Sequence, residues 1–453
     1  MNSRRFLSVF LLFTLLVSLF ITPAAAMDDP NIQAKAALLV EQDTGTVLYA
    51  KNEHDHLYPA SLTKIMTCLL VLDAVDSGKL TLDQKITAPA EAFTELDADG
   101  STAGIKAGEV LTVKDLLYCM MVVSANESCN ILAVTVAGSI SDFVDQMNAK
   151  AEKLGCKDTH FANPIGLQDT NHYTSAWDLY LITKEAMTHK EFMTICDTPD
   201  VIIPATNLSA QRHLYTTNYL LSSFRALGYI DKDAHGVKTG STSDAGHCLV
   251  STASRNGLNV ISVVLGAQKV TLANGKTQVQ SFSETSRLFN WAFDSFASQT
   301  VLTPNDMLQS VPVTLSREAS SVALHTGADV VTLMPKDIKP EDLQRTVTLK
   351  QDSVKAPVTA GEVLGSVELS YNGTVYAKAD LVALNDVSAS KLLTMWDNVK
   401  LFFSRTIVKV ACVLVALLLV ALVVWKLTVG RRRYRYGRSV RHGGQNYRGR
   451  RRS

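Results

Sequence analysis

Three short patterns place hydroxyl, amine and amide groups at spacings that suit acyl transfer to a serine. Ser61-Leu62-Thr63-Lys64 sets a hydroxyl and an amine three residues apart, Ser124-Ala125-Asn126 adds a second hydroxyl and an amide, and Lys238-Thr239-Gly240 is the only KTG triplet in the chain. A serine hydroxyl is a poor nucleophile until an adjacent base takes its proton. Lys64 can be that base only when neutral, which means bringing its pKa from about 10.4 to about 7, roughly 3 units or roughly 4 kcal/mol. Burial and a second cation supply such pressure, and Lys238 is the obvious second cation. Ser124 is expected to relay a proton to the leaving group, and Asn126 to hold Lys64 and a substrate amide. Lys238 and Thr239 suit an anionic carboxylate on the substrate, and Gly240 lets a substrate backbone lie close against the strand. The backbone N–H groups of Ser61 and Ser241 would form an oxyanion hole.

Each pattern is weak alone. S-x-x-K recurs at Ser388-Ala389-Ser390-Lys391, and S-x-N recurs elsewhere, for instance at Ser254-Arg255-Asn256 and Ser370-Tyr371-Asn372. Context separates the copies. Ser61 follows Pro59-Ala60 and begins a helical pattern over 61–74, so Ser61 and Lys64 share one helix face. Ser124 falls between two helices, the first opened by a Thr112-x-x-Asp115 start signal. Lys238-Thr239-Gly240 reads as a strand edge beside a hairpin, with runs at 248–254 and 258–265 around Arg255-Asn256-Gly257. Ser388 has no partner motif after it.

The elements that must position these groups follow in a telling order. Strands at 37–42 and 46–50 flank Asp43-Thr44-Gly45; helices follow, one over about 142–154 ending at Gly155; the later strands come next, and a helix over 283–296 closes the region. Strands, helices, strands and a last helix argue for an α/β fold. Its single antiparallel sheet would be made by the two ends of the domain, with helices on both faces and a helical insertion between. After about 299, short β runs alternate with Gly, Pro and Asp turns, so 300–387 reads as a small all-β domain.

The chain's 453 residues leave room for about three domains. The composition, 47% hydrophobic with 24 Gly and 12 Pro, excludes collagen and wholesale disorder. The net charge of +1 conceals an asymmetry: the segment from Arg431 holds ten arginines and no acid, leaving the rest at −9. The chain therefore reads as one whose two ends face different compartments. Arg4 and Arg5, an apolar run over 6–21 and Ala24-Ala25-Ala26 read as a signal peptide of 1–26. An amphipathic juxtamembrane segment (388–405) precedes a transmembrane helix over 406–429, apolar on every face. The arginine-rich tail, 430–453, is then cytoplasmic by the positive-inside rule, and the body, 27–299 and 300–387, extracytoplasmic. The tail is read as a stop-transfer signal that also touches anionic lipid; no nucleic-acid partner is expected. The six cysteines outside the span sit sparsely in apolar settings, as buried thiols do. No zinc spacing and no HExxH occur, so neither metal nor cofactor is expected.

Together the three motifs, in order and with YPASLTKIMT (58–67), VVSANESCN (122–130), FANPIGL (161–167), YTSAWDL (173–179) and HGVKTGSTSDAGHCLV (235–250), resemble the D-alanyl-D-alanine carboxypeptidases, low-molecular-mass penicillin-binding proteins of the S-x-x-K serine peptidases. The resemblance covers about 30–388. It implies the β-lactamase/transpeptidase-like fold, a Ser61 acyl-enzyme, peptidoglycan stem peptides as substrates and β-lactams as covalent inhibitors. It also implies a place in cell-wall remodelling at the bacterial membrane. Relatives usually carry an arginine shortly before the closing helix to grip the terminal carboxylate; the corresponding place here is Ser281. Many also end in an in-plane amphipathic anchor, whereas this chain reads as spanning. A β-lactamase would need a glutamate to activate the deacylating water, and none occurs between Phe161 and Lys184. The same residues would serve a DD-endopeptidase on cross-linked stems. The reading from another class is a membrane-tethered, non-catalytic protein that binds peptidoglycan or a partner.

Overall fold

The computed structural model describes residues 29–433 apart from 95, 98 and 274. The signal-peptide reading of 1–26 and most of the arginine-rich tail lie outside these residues. By internal contacts the chain divides into two compact units. One runs to Gln299 and takes in Leu333–Lys339; the other comprises Thr300–Thr332 and the chain from Pro340 onward.

In the first unit β1 (Ala36–Glu41) and β2 (Val47–Lys51) form a hairpin. The strands β3 (Ala234–Thr242), β4 (Gly246–Arg255) and β5 (Leu258–Ala267) arrive after a long helical stretch. The sheet order is β2-β1-β5-β4-β3, antiparallel throughout, with Ala36 opposite Leu265 and Glu41 opposite Val260. The expected sheet from the two chain ends is therefore present. β1 is buried at every position. A strand enclosed on both faces reads as a continuous apolar run rather than an alternating one.

Side-chain alternation divides the core in two. Leu38, Val40, Val250, Ile261 and Val263 face the inserted helices. Leu39, Leu249, Val260 and Val264 face the closing helix, with its Leu288, Phe289 and Phe293. The inserted helices are α1 (Lys64–Asp76), α2 (Val113–Val122), α3 (Asn126–Ala137), α4 (Ile140–Lys153), α5 (Ala176–Ala186) and α6 (Lys190–Cys196); α7 (Gln280–Ser295) covers the other face. Local chemistry sets several of their starts. Thr112 and Asp115 form a reciprocal capping box at α2, and Ser139 and Ser175 accept the Asp142 and Asp178 N–H groups at α4 and α5.

One start differs from the sequence reading. The helix expected from Ser61 begins instead as a 3₁₀ turn, Ala60–Thr63, entered with Ala60 at φ +47°, and becomes α-helical only at Lys64. With three residues per turn, side chains three apart nearly eclipse, so this turn stacks Ser61 and Lys64 more directly than an α-helix would.

The second unit contains a six-stranded sheet. Its order is Gln344–Leu349, Val363–Tyr371, Thr374–Ala383, Ser321–Thr326, Gln309–Thr314 and Val354–Lys355, all antiparallel except the last pair. Val311, Leu324, Val367, Leu369 and Leu381 fill its core. Two helices follow. α8 (Lys391–Ser404) exposes Leu392, Met395, Trp396, Val399 and Phe402, and α9 (Thr406–Arg433) includes the apolar stretch Thr406–Thr428, with an 18-residue window of mean hydropathy 3.2, none of it buried. α9 is long and apolar enough to cross a membrane.

All seven cysteines are unpaired. Burial pushes the Cys119, Cys129 and Cys156 thiols up to about 12 and Cys248 to about 11. These are inert, protonated packing groups.

Candidate active site

A cleft of about 220 Å³ opens on the first unit, and its lining includes Ser61 from the 3₁₀ turn, Ser124 from the α2–α3 loop, Thr239, Gly240 and Ser241 from β3, His247 from β4 and Ser281 from α7. All three sequence motifs meet here. The second S-x-x-K copy, at Ser388, lies in the other unit.

Lys64 organises the floor. Its side chain is fully buried, and Nζ donates to Ser61 Oγ at 2.9 Å, to Asn126 Oδ1 at 2.8 Å and to the Ile165 carbonyl at 2.7 Å. Three acceptors saturate an ammonium. Burial nevertheless lowers the Lys64 pKa, against the opposing pull of Cys129 and Glu127. Lys238 is buried as deeply, and burial together with the charge of Lys64 brings it down to about 7. Repulsion between the two is mutual, so each makes the other easier to deprotonate.

Ser124 sits at φ +66° and is buried, and its Oγ has no hydrogen-bond partner. A strained backbone holding an unsatisfied hydroxyl is the kind of local cost that persists at functional sites. Asn126 opens α3, and its backbone N–H donates to the Ser101 carbonyl. Glu127, beside it and buried, accepts from Thr102 Oγ1 and the Ala103 N–H, which fixes the segment that crosses over Asn126. On β3, Lys238 Nζ donates to the Thr239 carbonyl, and the Thr239 hydroxyl meets that of Thr217 at 2.6 Å.

Gly240 also meets a constraint inside the fold, besides lining the cleft. A Cβ there would lie 2.8 Å from the Pro59 carbonyl oxygen and 3.2 Å from the Ser61 nitrogen. The space it leaves is filled by the backbone of the serine's own turn, so Gly240 lets β3 pack against the Ser61 backbone.

Several supporting residues were given no role in the sequence reading, although Asn163, Ile165 and Gly166 lie in the FANPIGL stretch quoted there. Gly166, at φ +85°, passes so close beneath the turn that a Cβ would collide with the Ala60 carbonyl oxygen. The Asn163 side chain shapes that loop: Oδ1 accepts from the Gly166 and Leu167 N–H groups at 2.8 and 2.9 Å, and Nδ2 donates back to the Leu167 carbonyl. This loop aims the Ile165 carbonyl at Lys64. Its Asn-Pro-Ile-Gly composition is a turn signal, but nothing in it names the distant amine. His172, buried and lowered to about 4 chiefly by burial, is neutral. Its Nδ1 accepts the Ala162 N–H, so its Nε2–H donates to Thr63 Oγ1, whose own hydroxyl donates to the Ala60 carbonyl. A chain of three hydrogen bonds thus braces the turn that carries Ser61.

Comparison with known proteins follows the same division of the chain. The D-alanyl-D-alanine carboxypeptidase family matches residues 23–269, more than half of the chain. This chain belongs to that family. The C-terminal domain of penicillin-binding protein 5 matches residues 296–389. Among curated relatives, D-alanyl-D-alanine carboxypeptidase DacF of Bacillus subtilis is 30% identical over 86% of this chain and 96% of its own length. DacC of Escherichia coli is 29% identical over 84% and 90%. Among solved structures, penicillin-binding protein 5 of Haemophilus influenzae superimposes with a TM-score of 0.62 at 29% identity, covering 80% of this chain and all of that one. The fold is therefore that of the penicillin-binding carboxypeptidases, with an all-β region after the catalytic-type unit.

Proposed function

We propose that this family member is a serine-type D-Ala-D-Ala carboxypeptidase acting on peptidoglycan stem peptides in cell-wall metabolism, with Ser61 as the acyl-forming nucleophile. The observation that carries the reading is Lys64, whose lowered-pKa amine lies 2.9 Å from Ser61 Oγ and 2.8 Å from Asn126 Oδ1.

Neutral Lys64 takes the Ser61 proton as Oγ attacks the carbonyl carbon of the penultimate D-alanine. The oxyanion that forms is held by the backbone N–H groups of Ser61 and Ser241. Asn126 keeps Lys64 in line and receives the substrate amide. Ser124, whose Oγ is otherwise unpartnered, passes a proton to the departing amine, and the terminal D-alanine leaves. Water then attacks the ester, its proton returning through Lys64, and Ser61 is freed. Thr239 lines the leaving-group side, with Lys238 buried next to it on β3. A β-lactam presents a strained amide to the same hydroxyl and stalls as the ester.

The α9 helix is the membrane anchor in this reading, with the catalytic body outside the cell and the arginine-rich tail on the cytoplasmic side. Apolar length and the clustered arginines support it.

The test is D-alanine release from a peptide ending in D-Ala-D-Ala, comparing the chain with its Ser61→Ala variant. Release by the parent alone is expected. Release by both would remove Ser61 from the mechanism, and penicillin labelling without release would point to another acyl donor.

A further inference from the structure

The end of the cleft beyond Ser61 has an uneven supply of charge. β3 alternates, so Lys238 points toward the inserted helices while Thr239 and Ser241 emerge on the face covered by α7. His247 on β4 stands directly opposite Ser241, so its side chain leaves the sheet on that same face. It also lines the cleft, with Ser281 and Phe282 of α7. Among the described residues lining the cleft there is no arginine, lysine, aspartate or glutamate, and His247 is the one side chain able to carry a positive charge. Ser281 brings only a hydroxyl. Lys269, in the short strand Lys269–Thr271, pairs opposite Val279, itself a lining residue. Its charge, after burial, holds His247 below the ordinary imidazole range. The imidazole therefore gives up its proton more readily than an ordinary one, and an arriving anion would oppose both effects.

We propose that His247, backed by Lys269, is the specificity-determining residue that selects substrates by their free terminal carboxylate, donating a ring N–H to it beside the hydroxyls of Thr239 and Ser241. The inference rests on the carboxypeptidase reading of this cleft. A carboxylate here accepts from two hydroxyls and an imidazole, and no guanidinium is required.

The experiment compares two peptides that differ only in the last group, one ending in D-Ala-D-Ala with a free carboxylate and one ending in its primary amide. Hydrolysis of the p-nitrophenyl ester of acetyl-D-alanine, which lacks that carboxylate, reports the amount of competent Ser61. The full chain in detergent should prefer the acid, and His247→Ala should reduce the ratio of kcat/KM for acid over amide by about 10- to 100-fold, mainly through KM. His247→Gln, which keeps a donor, should recover part of it. Ser281→Arg in the His247→Ala background should recover more, because it returns a cation to the same end of the cleft. A merely structural role would lower acid, amide and ester together and leave the ratio alone. An unchanged acid preference in His247→Ala overturns the assignment of His247 and leaves the carboxypeptidase reading standing. A parent that cleaves the ester but releases nothing from either peptide overturns both.

Discussion

His172 makes a quantitative test of how the nucleophile is held. The folded imidazole is depressed from 6.5 to about 4, so between those values the unfolded chain binds a proton that the folded chain refuses. Stability therefore falls as pH drops through that window. A gap of about 2.5 units corresponds to about 3 kcal/mol, complete by about pH 4 and absent above about 6.5. His172→Asn is the informative perturbation. It keeps an acceptor near the Ala162 N–H, leaves Thr63 Oγ1 without its donor, and does not titrate. At pH 7.5 the variant should be about 1–3 kcal/mol less stable than the parent, the usual cost of an unmade buried hydrogen bond. As pH falls from 6.5 to 4 that difference should shrink by about 3 kcal/mol, so the two converge or cross. Urea unfolding of the full chain in detergent at half-unit pH steps measures it, with penicillin labelling of Ser61 as a local readout. A parent-minus-variant difference that stays constant across the window would refute the neutral, braced imidazole.

Other expectations follow from the same geometry. Gly240→Ala adds a methyl 2.8 Å from the Pro59 carbonyl oxygen and should cost roughly 1–3 kcal/mol. By displacing the Ser61 turn it should also slow β-lactam acylation by about 100-fold, read by stopped-flow; parent-like acylation would mean that the turn and strand yield freely. Asn163→Ala orphans the Gly166 and Leu167 N–H groups. It should lower stability by roughly 1–3 kcal/mol, seen as a reduced thermal midpoint, and reduce the acylation rate as the Ile165 carbonyl leaves Lys64. The rising limb of acylation rate against pH should lie below lysine's ordinary 10.5, because Lys64 is lowered by burial.

The sequence conveyed the parts of the site that depend on side-chain identity at short range. Ser61 and Lys64 are one turn apart, and no long-range knowledge is needed to see that they meet. The sheet was legible because its strands are apolar runs bounded by turn residues, and their ends differ from the expected ones by only a residue or two at β1 and β2. What stayed hidden is what backbone atoms do. The Ile165 carbonyl that completes the Lys64 shell has no signature, since every residue owns a carbonyl and only the fold chooses this one. Gly240 was visible as a position needing close approach, but which backbone approaches it is a tertiary fact. His172 looked like any loop histidine, because burial, which makes it neutral, cannot be read from its neighbours in sequence. For Lys64 the direction of the shift was anticipated; burial is its leading cause, and the repulsion by a second cation registers on Lys238.

The pairing of β1 with β5 sets a schedule for the appearance of reactivity. Ser61 and Lys64 emerge early in synthesis, yet the strand bearing Lys238 and Gly240 is among the last parts of the first unit to be made, and Ala36 must wait for Leu265. High contact order of this kind makes folding slow and late, because loop closure precedes any gain from the distant pairing. A chain emerging through a membrane in sequence order would therefore carry its nucleophile for most of its passage without the strand that buttresses it. Acylating power would switch on in a single late step, when the first and last strands join, and a partly delivered chain would have no competent hydroxyl to spend on the wrong acyl donor.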